Sequence, residues 1–222
     1  MQHKKKKFFQ RVMFLIMNPN ESIVKRMRLL YHNYRGLDFK PDFNYNQLGI
    51  EEARANGHEA MQNFNSLSFL LNQLKINEND SIIDLGCGKG HALVQFSKYQ
   101  FKKVVGVELS RALCVIATKN LKLLKIKHAE VINEDAGKYT DYTGFNYVYL
   151  FNPFPCNVVK EVLVNLEDSL KKNPRELTII YNHPVCSEIF DKSNCFKRIN
   201  ELTYKFNKDT YLKIFIYSTK SE

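Results

Sequence analysis

The chain has 222 residues, of which 44% are hydrophobic and 25% are charged, and its formal net charge at pH 7 is +10. This length and composition fit one globular domain with a short appendage, and they exclude collagen-like, low-complexity and fully disordered chains. No apolar run approaches the roughly 20 residues of a membrane-spanning helix. The composition therefore argues against an integral membrane protein.

The positive charge is concentrated at the N-terminus. The first 40 residues carry ten lysines and arginines against two acidic residues, whereas residues 41–222 carry 23 against 21. The run Lys4–Lys7 leads into the apolar stretch Phe8–Met17. An arginine interrupts that stretch and no small-residue cleavage site follows, so we do not expect a secretory signal. Residues 1–45 are therefore predicted to form a basic arm.

The sequence leaves three uses of this arm open. Lysines followed by large apolar residues suit an interfacial anchor on an anionic membrane. The same charge suits a nucleic acid, and a helix in this segment could instead pack its apolar side on the rest of the protein. Residues 1–20 are thus a candidate contact for a membrane or a nucleic acid, and the sequence indicates no oligomeric state.

A helical extension is predicted after the arm. Pro41–Asn46 is typical of a loop, and apolar residues then recur at near-helical spacing over residues 49–75. Gly57 and Asn63–Ser66 are expected to divide this stretch into two helices. Residues 46–79 are therefore predicted to be a helical extension or lid in front of the main domain.

From residue 80 onwards, short apolar strands alternate with helical patterns. This alternation is typical of βαβ units and predicts an α/β fold with a doubly wound, mostly parallel, seven-stranded sheet over residues 80–222. The last two strand-like runs flank a short turn, so the sheet should end in a C-terminal antiparallel hairpin. The predicted strands are Ile82–Leu85, Val104–Leu109, Glu130–Asn133, Tyr147–Phe151, Leu177–Tyr181, Phe196–Tyr204 and Tyr211–Ser218, and the predicted helices are Lys89–Tyr99, Ser110–Leu124, 157–171 and Val185–Asp191.

The spacing of the cysteines indicates neither a disulfide framework nor a metal site. There are five, an odd number, and they contain neither a Cys-x-x-Cys pair nor the spacing of metal ligands. A chain able to bury a sizeable core does not need disulfides for stability. We therefore expect reduced thiols in a cytoplasmic protein without a metal site. The five are Cys87, Cys114, Cys156, Cys186 and Cys195.

The strongest chemical signal is the segment Asp84–Gly90, which reads Asp-Leu-Gly-Cys-Gly-Lys-Gly. It ends the first predicted strand and opens a helix, where glycines let the backbone turn sharply and let a ligand approach closely. A dinucleotide fingerprint would require glycine at the position of His91, and the pattern of a Walker A loop is also absent. The segment therefore predicts a ligand site of another class.

Two more acidic residues follow the next strands. Glu108 closes the second strand, where a carboxylate can accept both hydroxyl hydrogens of a ribose. Asp135 follows the third strand, where it can accept from an adenine amino group. Acidic residues at three successive strand ends, around a glycine turn, predict a nucleoside pocket.

The loop, the two acids and the late hairpin together resemble the class I, Rossmann-like S-adenosylmethionine-dependent methyltransferases, over about residues 80–218. The resemblance implies S-adenosylmethionine as cofactor and S-adenosylhomocysteine as product. It implies that the loop borders the methionine part, Glu108 holds the ribose, Asp135 contacts the adenine, and Asp84 acts on the amino group of the methionine. The implied cofactor-binding residues are Asp84, Gly86, Cys87, Gly88, Gly90, Glu108, Leu109, Asp135, Ala136 and Asn152.

The segment Asn152-Pro153-Phe154-Pro155 follows the fourth strand, at the switch point where such sheets bind ligands. It partly resembles the Asn/Asp-Pro-Pro-aromatic motif of methyltransferases that act on planar nitrogen, which makes Asn152, Pro153 and Phe154 the predicted catalytic residues. The chain looks closest to bacterial methyltransferases of undefined substrate and is distantly similar to Dot1-like lysine methyltransferases.

The predicted function is methyl transfer from S-adenosylmethionine to an amine nitrogen of a protein or small molecule. Phe154, Tyr149 and Tyr181 are candidates to face the cationic sulfur. His183 either takes up a proton after transfer or is a loop histidine fixed by Pro184. The alternative is a non-catalytic S-adenosylmethionine-binding protein that docks to a membrane or a nucleic acid through its basic arm.

Overall fold

The structure, a computed structural model, describes residues 35–40, 54–56, 64–205 and 209–219, without the side chains of residues 64–66. The chain divides into two compact units, residues 1–39 and 40–222. The predictions for residues 1–20, for most of the basic arm 1–45 and for much of the extension 46–79 therefore lie outside the described residues. The described strands and the helices between them belong to the second unit.

The described part of this unit is built on one seven-stranded sheet with the order β3-β2-β1-β4-β5-β7-β6. The first five strands in this order are parallel, whereas β7 runs antiparallel to both β5 and β6. The strands are β1 (Ser81–Leu85), β2 (Lys103–Glu108), β3 (Ala129–Asn133), β4 (Tyr147–Phe151), β5 (Thr178–Asn182), β6 (Phe196–Lys205) and β7 (Tyr211–Thr219).

Helices cover both faces of the sheet. The described helices are α1 (Phe64–Leu71), α2 (His91–Phe96), α3 (Arg111–Leu123), α4 (Cys156–Lys172) and α5 (Glu188–Asp191). Alternate residues of the central strands point to opposite faces. Ile83 of β1 therefore joins a core with α4, while its neighbour Ile82 joins a second core with α1 and α2. Because β1 and β5 are buried on both faces, they are apolar along most of their length.

The predicted fold class is confirmed, including the terminal antiparallel pair. The largest difference in length is at α2, which is shorter than the predicted Lys89–Tyr99. Gly90 precedes it with a left-handed φ of 77°, and the helix ends where Ser97 donates back to carbonyls of the preceding turn. Ala55 and Asn56, within the stretch predicted as helical, are not in a helix. No described helix has the length and hydropathy needed to cross a bilayer.

The prediction that all cysteines are reduced is wrong for two of them. Cys156 and Cys186 form a disulfide with their Cα atoms 5.5 Å apart, whereas Cys87, Cys114 and Cys195 are not disulfide-bonded. The two partners are 30 residues apart in sequence, so a search for neighbouring cysteines could not find them. They meet because β4 and β5 are adjacent parallel strands, and each cysteine lies a few residues beyond the end of one of them.

Candidate active site

A cavity opens at the carboxyl ends of β1, β2 and β4, where the loops that follow these strands converge. The sheet order places the ends of β1 and β4 side by side although their connections leave in opposite directions, which is where open α/β sheets bind ligands. The cavity is lined by Arg54, Ala55, Asn56, Gly86, Gly88, Val107, Glu108, Leu109, Leu113, Glu134, Asp135, Ala136, Phe151, Asn152, Pro153, Phe154 and His183.

The glycine loop forms one wall of the cavity. Gly86 has a φ of 80° and lies so close to Pro153 that a Cβ atom would overlap the proline ring. A glycine is therefore required here both by the turn and by the approach of the 152–154 segment. Gly90 has another role, because a Cβ there would press on Ala117 of α3 at 3.2 Å. It lets α2 and α3 pack closely and does not line the cavity.

Glu108 connects the glycine loop to β2. Its Oε2 accepts a hydrogen bond of 2.9 Å from the backbone N–H of Gly88, and its Oε1 accepts one of 2.8 Å from Ser110. Burial raises the pKa of the Glu108 carboxyl, while the backbone N–H donors oppose that rise. Each carboxylate oxygen retains a second lone pair. The side chain can therefore hold the loop and still accept the two hydroxyl hydrogens of a ribose.

Three of the residues implied as cofactor contacts do not line the cavity, namely Asp84, Cys87 and Gly90. Asp84 is buried near the end of β1, and burial together with the nearby Glu108 raises the pKa of its carboxyl well above the ordinary value. Burial likewise raises the pKa of the Cys87 thiol, so this thiol is not activated as a nucleophile. Asp84 and Cys87 are therefore buried within the segment, and their contact with the cofactor stays a prediction.

Asp135 is part of an ion cluster that the sequence did not reveal. Arg54 donates to both of its carboxylate oxygens, from Nε at 2.9 Å and from Nη2 at 2.7 Å. The same guanidinium bonds Glu161 of α4 through Nη1 at 2.9 Å and Nη2 at 2.7 Å. Hydrogen bonding to Glu161 and Asp135 raises the pKa of Arg54, and Arg54 lowers that of Glu161. Because Arg54 precedes Asp135 by 81 residues, no local pattern could pair them.

The segment after β4 has a strained backbone. Asn152 has a φ of 40°, and His183 at the equivalent place after the neighbouring strand β5 has a φ of 51°. Non-glycine residues rarely adopt such angles, and when they do they cluster at functional sites. The backbone N–H of Asn152 donates to the carbonyl of Asn182 at 3.1 Å. Both Asn152 and His183 line the cavity, so they face the same space.

Asn56 also contacts this segment. Its side-chain Nδ2 donates to the backbone carbonyl and to Oδ1 of Asn152, at 3.2 Å each. Its backbone N–H donates to the carbonyl of Pro153 at 3.0 Å. Asn152 and Pro153 therefore present three oxygen atoms that accept from N–H groups. The sequence did not identify Asn56 as a site residue, because its partners lie about 100 residues away.

Two of the three aromatic residues expected to face the sulfonium do not reach the cavity. Tyr149 is buried on one face of the sheet, where its hydroxyl accepts from Asn182 at 3.1 Å. Tyr181 is buried on the other face, and its hydroxyl accepts from the N–H of Cys186 at 3.3 Å. Phe154 and Phe151 do line the cavity. Among the described residues, no group of three metal-ligating side chains is present.

Comparisons with known proteins identify the family of this chain. The profile of the family described as "Methyltransferase domain" matches residues 76–208, more than half of the chain. The rRNA adenine N-6-methyltransferases of Lysinibacillus sphaericus and Limosilactobacillus reuteri are 29% and 32% identical over 94 residues. Each match covers 42% of this chain and 37% of the relative, so the chain matches well under half of their length.

Solved structures show the same fold. A tRNA methyltransferase of Bacillus subtilis superposes with a TM-score of 0.57 at 11% identity, covering 73% of this chain and 67% of that one. At this identity the likeness concerns the fold alone. Together with the family profile, the sheet order and the glycine loop, it leads to one conclusion: the chain belongs to the class I, S-adenosylmethionine-dependent methyltransferase family.

Proposed function

We propose that the protein transfers a methyl group from S-adenosylmethionine to a neutral amine nitrogen. One observation carries this proposal. The Asn152 side-chain oxygen and the Asn152 and Pro153 carbonyls all accept hydrogen bonds from N–H groups at the edge of the cavity. An acceptor amine offers the same kind of donor, so these oxygens suit its orientation.

The cavity has the groups that the cofactor needs. Gly86 and Gly88 line the cavity without a side chain that would obstruct the methionine part, and the remaining lone pairs of Glu108 suit the ribose diol. Asp135, with Ala136 beside it, would lie at the adenine, although Arg54 already engages both carboxylate oxygens. Each of these oxygens also has further lone-pair capacity. Together these groups of the cavity fit an adenosine that is joined to an amino acid.

The residues of the chain would act mainly by alignment. When bound, S-adenosylmethionine supplies a methyl group on a positively charged sulfur, so that an N–C bond forms as the S–C bond breaks and the nitrogen afterwards releases a proton. The oxygens of Asn152 would hold the N–H hydrogens in one plane and leave the nitrogen lone pair free. Alignment of this kind can contribute up to about 7–11 kcal/mol. His183 lines the same cavity and is the candidate to receive the proton.

Among amine acceptors, an exocyclic amine of an RNA base has the most support. Two relatives are named for methylation of adenine in rRNA, and the net charge of +10 favours a polyanionic acceptor. An acceptor in protein or a small molecule, which the sequence alone favoured, shares the same chemistry at the nitrogen.

The test is tritiated methyl transfer into cell lysate that has been separated into RNA, DNA, protein and lipid. We expect label in RNA, and we expect Asn152→Ala to lower its rate roughly 10- to 100-fold because an orienting hydrogen bond is lost. Asn194→Ala, at an exposed asparagine away from the cavity, is the matched control. Label in protein or lipid would contradict the RNA acceptor. Cofactor binding without label in any fraction would contradict the enzyme.

A further inference from the structure

Residues Arg54–Asn56 cross the cavity from one end to the other, and we call them the strap. At one end Arg54 is bonded to Asp135 and Glu161, beside the place proposed for the adenine. At the other end Asn56 is bonded to Asn152 and Pro153, beside the place proposed for the acceptor. Ala55 joins them and also lines the cavity. The strap thus spans both halves of the reaction site.

The side-chain NH2 group of Asn56 contacts Asn152 as a methyl acceptor with a planar NH2 group would. Its carboxamide NH2 group is planar and carries two hydrogens in that plane. The nitrogen lies 3.2 Å from two acceptors, the Asn152 carbonyl oxygen and Oδ1. An incoming planar NH2 group would need the same two oxygens. Asn56 and such an acceptor therefore cannot occupy them together.

We propose that Asn56 is a built-in substitute for the methyl acceptor, and that the acceptor displaces it on binding. This inference rests on the proposed function and narrows the substrate class. The site is matched to a neutral NH2 group on a planar carbon, as in a heterocyclic base or a carboxamide. An alkylammonium group is excluded because its nitrogen has no lone pair and its hydrogens do not lie in one plane.

The two ends of the strap differ in strength, which decides where it opens. Arg54 makes charge-assisted hydrogen bonds to two carboxylates, and such bonds are roughly twice as strong as neutral ones. Asn56 makes only neutral hydrogen bonds to Asn152, and it is exposed to solvent. The acceptor therefore releases the Asn56 end while Arg54 remains bound beside the adenine site.

The experiment measures binding of two probes to protein saturated with S-adenosylhomocysteine, so that neither probe can enter the cofactor site. The probes are 9-methyladenine, which carries a planar NH2 group, and 9-methylpurine, which lacks it. Affinities are measured by calorimetry for the wild type, Asn56→Ala, Asn56→Asp and the control Asn194→Ala. Neither alanine nor a carboxylate can donate to Asn152 from its side chain, so both strap variants leave its oxygens to the probe.

We expect both strap variants to bind 9-methyladenine about five- to tenfold more tightly than the wild type, as expected when competing neutral hydrogen bonds are removed. Asn194→Ala should match the wild type, and 9-methylpurine should bind all four proteins with equal, low affinity. Equal affinity of all four proteins for 9-methyladenine would overturn the proposal, and so would equal binding of the two probes by the strap variants.

Hydrogen exchange gives a second measurement on the unmodified protein. The backbone N–H of Asn56 donates to Pro153, so displacement of Asn56 should raise its exchange rate. We expect several-fold faster exchange with 9-methyladenine and no change with 9-methylpurine; equal rates would overturn the displacement. Both measurements are independent of methyl transfer. The lysate experiment can therefore fail while the strap is displaced as expected. Equally, methyl transfer can occur although the strap is not displaced.

Discussion

Asp84 and Glu108 are two carboxyl groups buried beside the glycine loop, and the surroundings differ between them. Glu108 accepts backbone N–H bonds from Gly88 and Ser110 and lines the cavity. Asp84 does not line the cavity, and burial raises the pKa of both groups. Both residues were expected from the sequence to bind the cofactor. Of the two, Glu108 lines the cavity and Asp84 does not, so direct contact of Asp84 with the cofactor stays a prediction.

This difference predicts how stability depends on pH. Because the pKa of Asp84 is higher in the folded protein than in the unfolded chain, the folded state holds its proton more tightly. The free energy of unfolding should therefore fall as pH rises from about 4, the ordinary value, until the folded group ionises. Asp84→Asn removes this ionisation and should flatten the fall. Each unit of the pKa rise corresponds to about 1.4 kcal/mol.

Urea unfolding at a series of pH values measures this effect. Asp168→Asn is the control, because Lys171 lowers the pKa of that exposed aspartate and its contribution has the opposite sign. If Asp84→Asn and the wild type have the same pH profile, Asp84 does not carry a raised pKa in the folded protein.

At the scale of elements, local sequence patterns were sufficient to predict most strands and helices. β1, β4 and β5 are short apolar runs between polar turns, and Ser110 caps α3 by accepting from Leu113 as its position indicates. Contacts between distant segments were not predictable in this way. The Arg54–Asp135 pair and the Cys156–Cys186 disulfide each join residues that only the tertiary fold brings together. The missed features of the site are all of this long-range kind.

The disulfide links the segments that follow β4 and β5, which also carry Asn152 and His183. A bond across a loop of this length should stabilise the fold by about 3–4 kcal/mol, chiefly by restricting the unfolded chain. Reduction, or the change of Cys156→Ser, should lower the free energy of unfolding by that amount.

Urea unfolding with and without a reducing agent tests this prediction. Cys195→Ser is the matched control, because Cys195 is not part of a disulfide and the variant should keep the full sensitivity to the reducing agent. A wild-type protein whose stability is the same in oxidising and reducing buffer would show that the bond does not form in solution.

At the scale of the whole molecule, the composition predicted a globular protein, and the periodicity of its apolar residues predicted an α/β fold. Strands alternating with helices indicated a parallel sheet, and the glycine loop with Glu108 indicated where its ligand lies. Neither could indicate the contacts of Arg54 and Asn56 at the cavity, because their partners Asp135 and Asn152 lie 81 and 96 residues away in sequence. The use of the basic residues 1–20 and the similarity to Dot1-like enzymes stay predictions.

The proposed function depends on Glu108 and the glycine loop forming a site for S-adenosylmethionine, with Glu108 at the ribose and the loop at the methionine part. Calorimetric titration with S-adenosylhomocysteine measures this binding, comparing the wild type with Glu108→Gln and with the control Glu130→Gln, an exposed glutamate paired with Lys103. We expect the wild type and the control to bind, and Glu108→Gln to bind at least about tenfold more weakly because a charged acceptor is lost. An absence of binding by the wild type, or equal affinity of all three proteins, would show that Glu108 and the loop do not form this site.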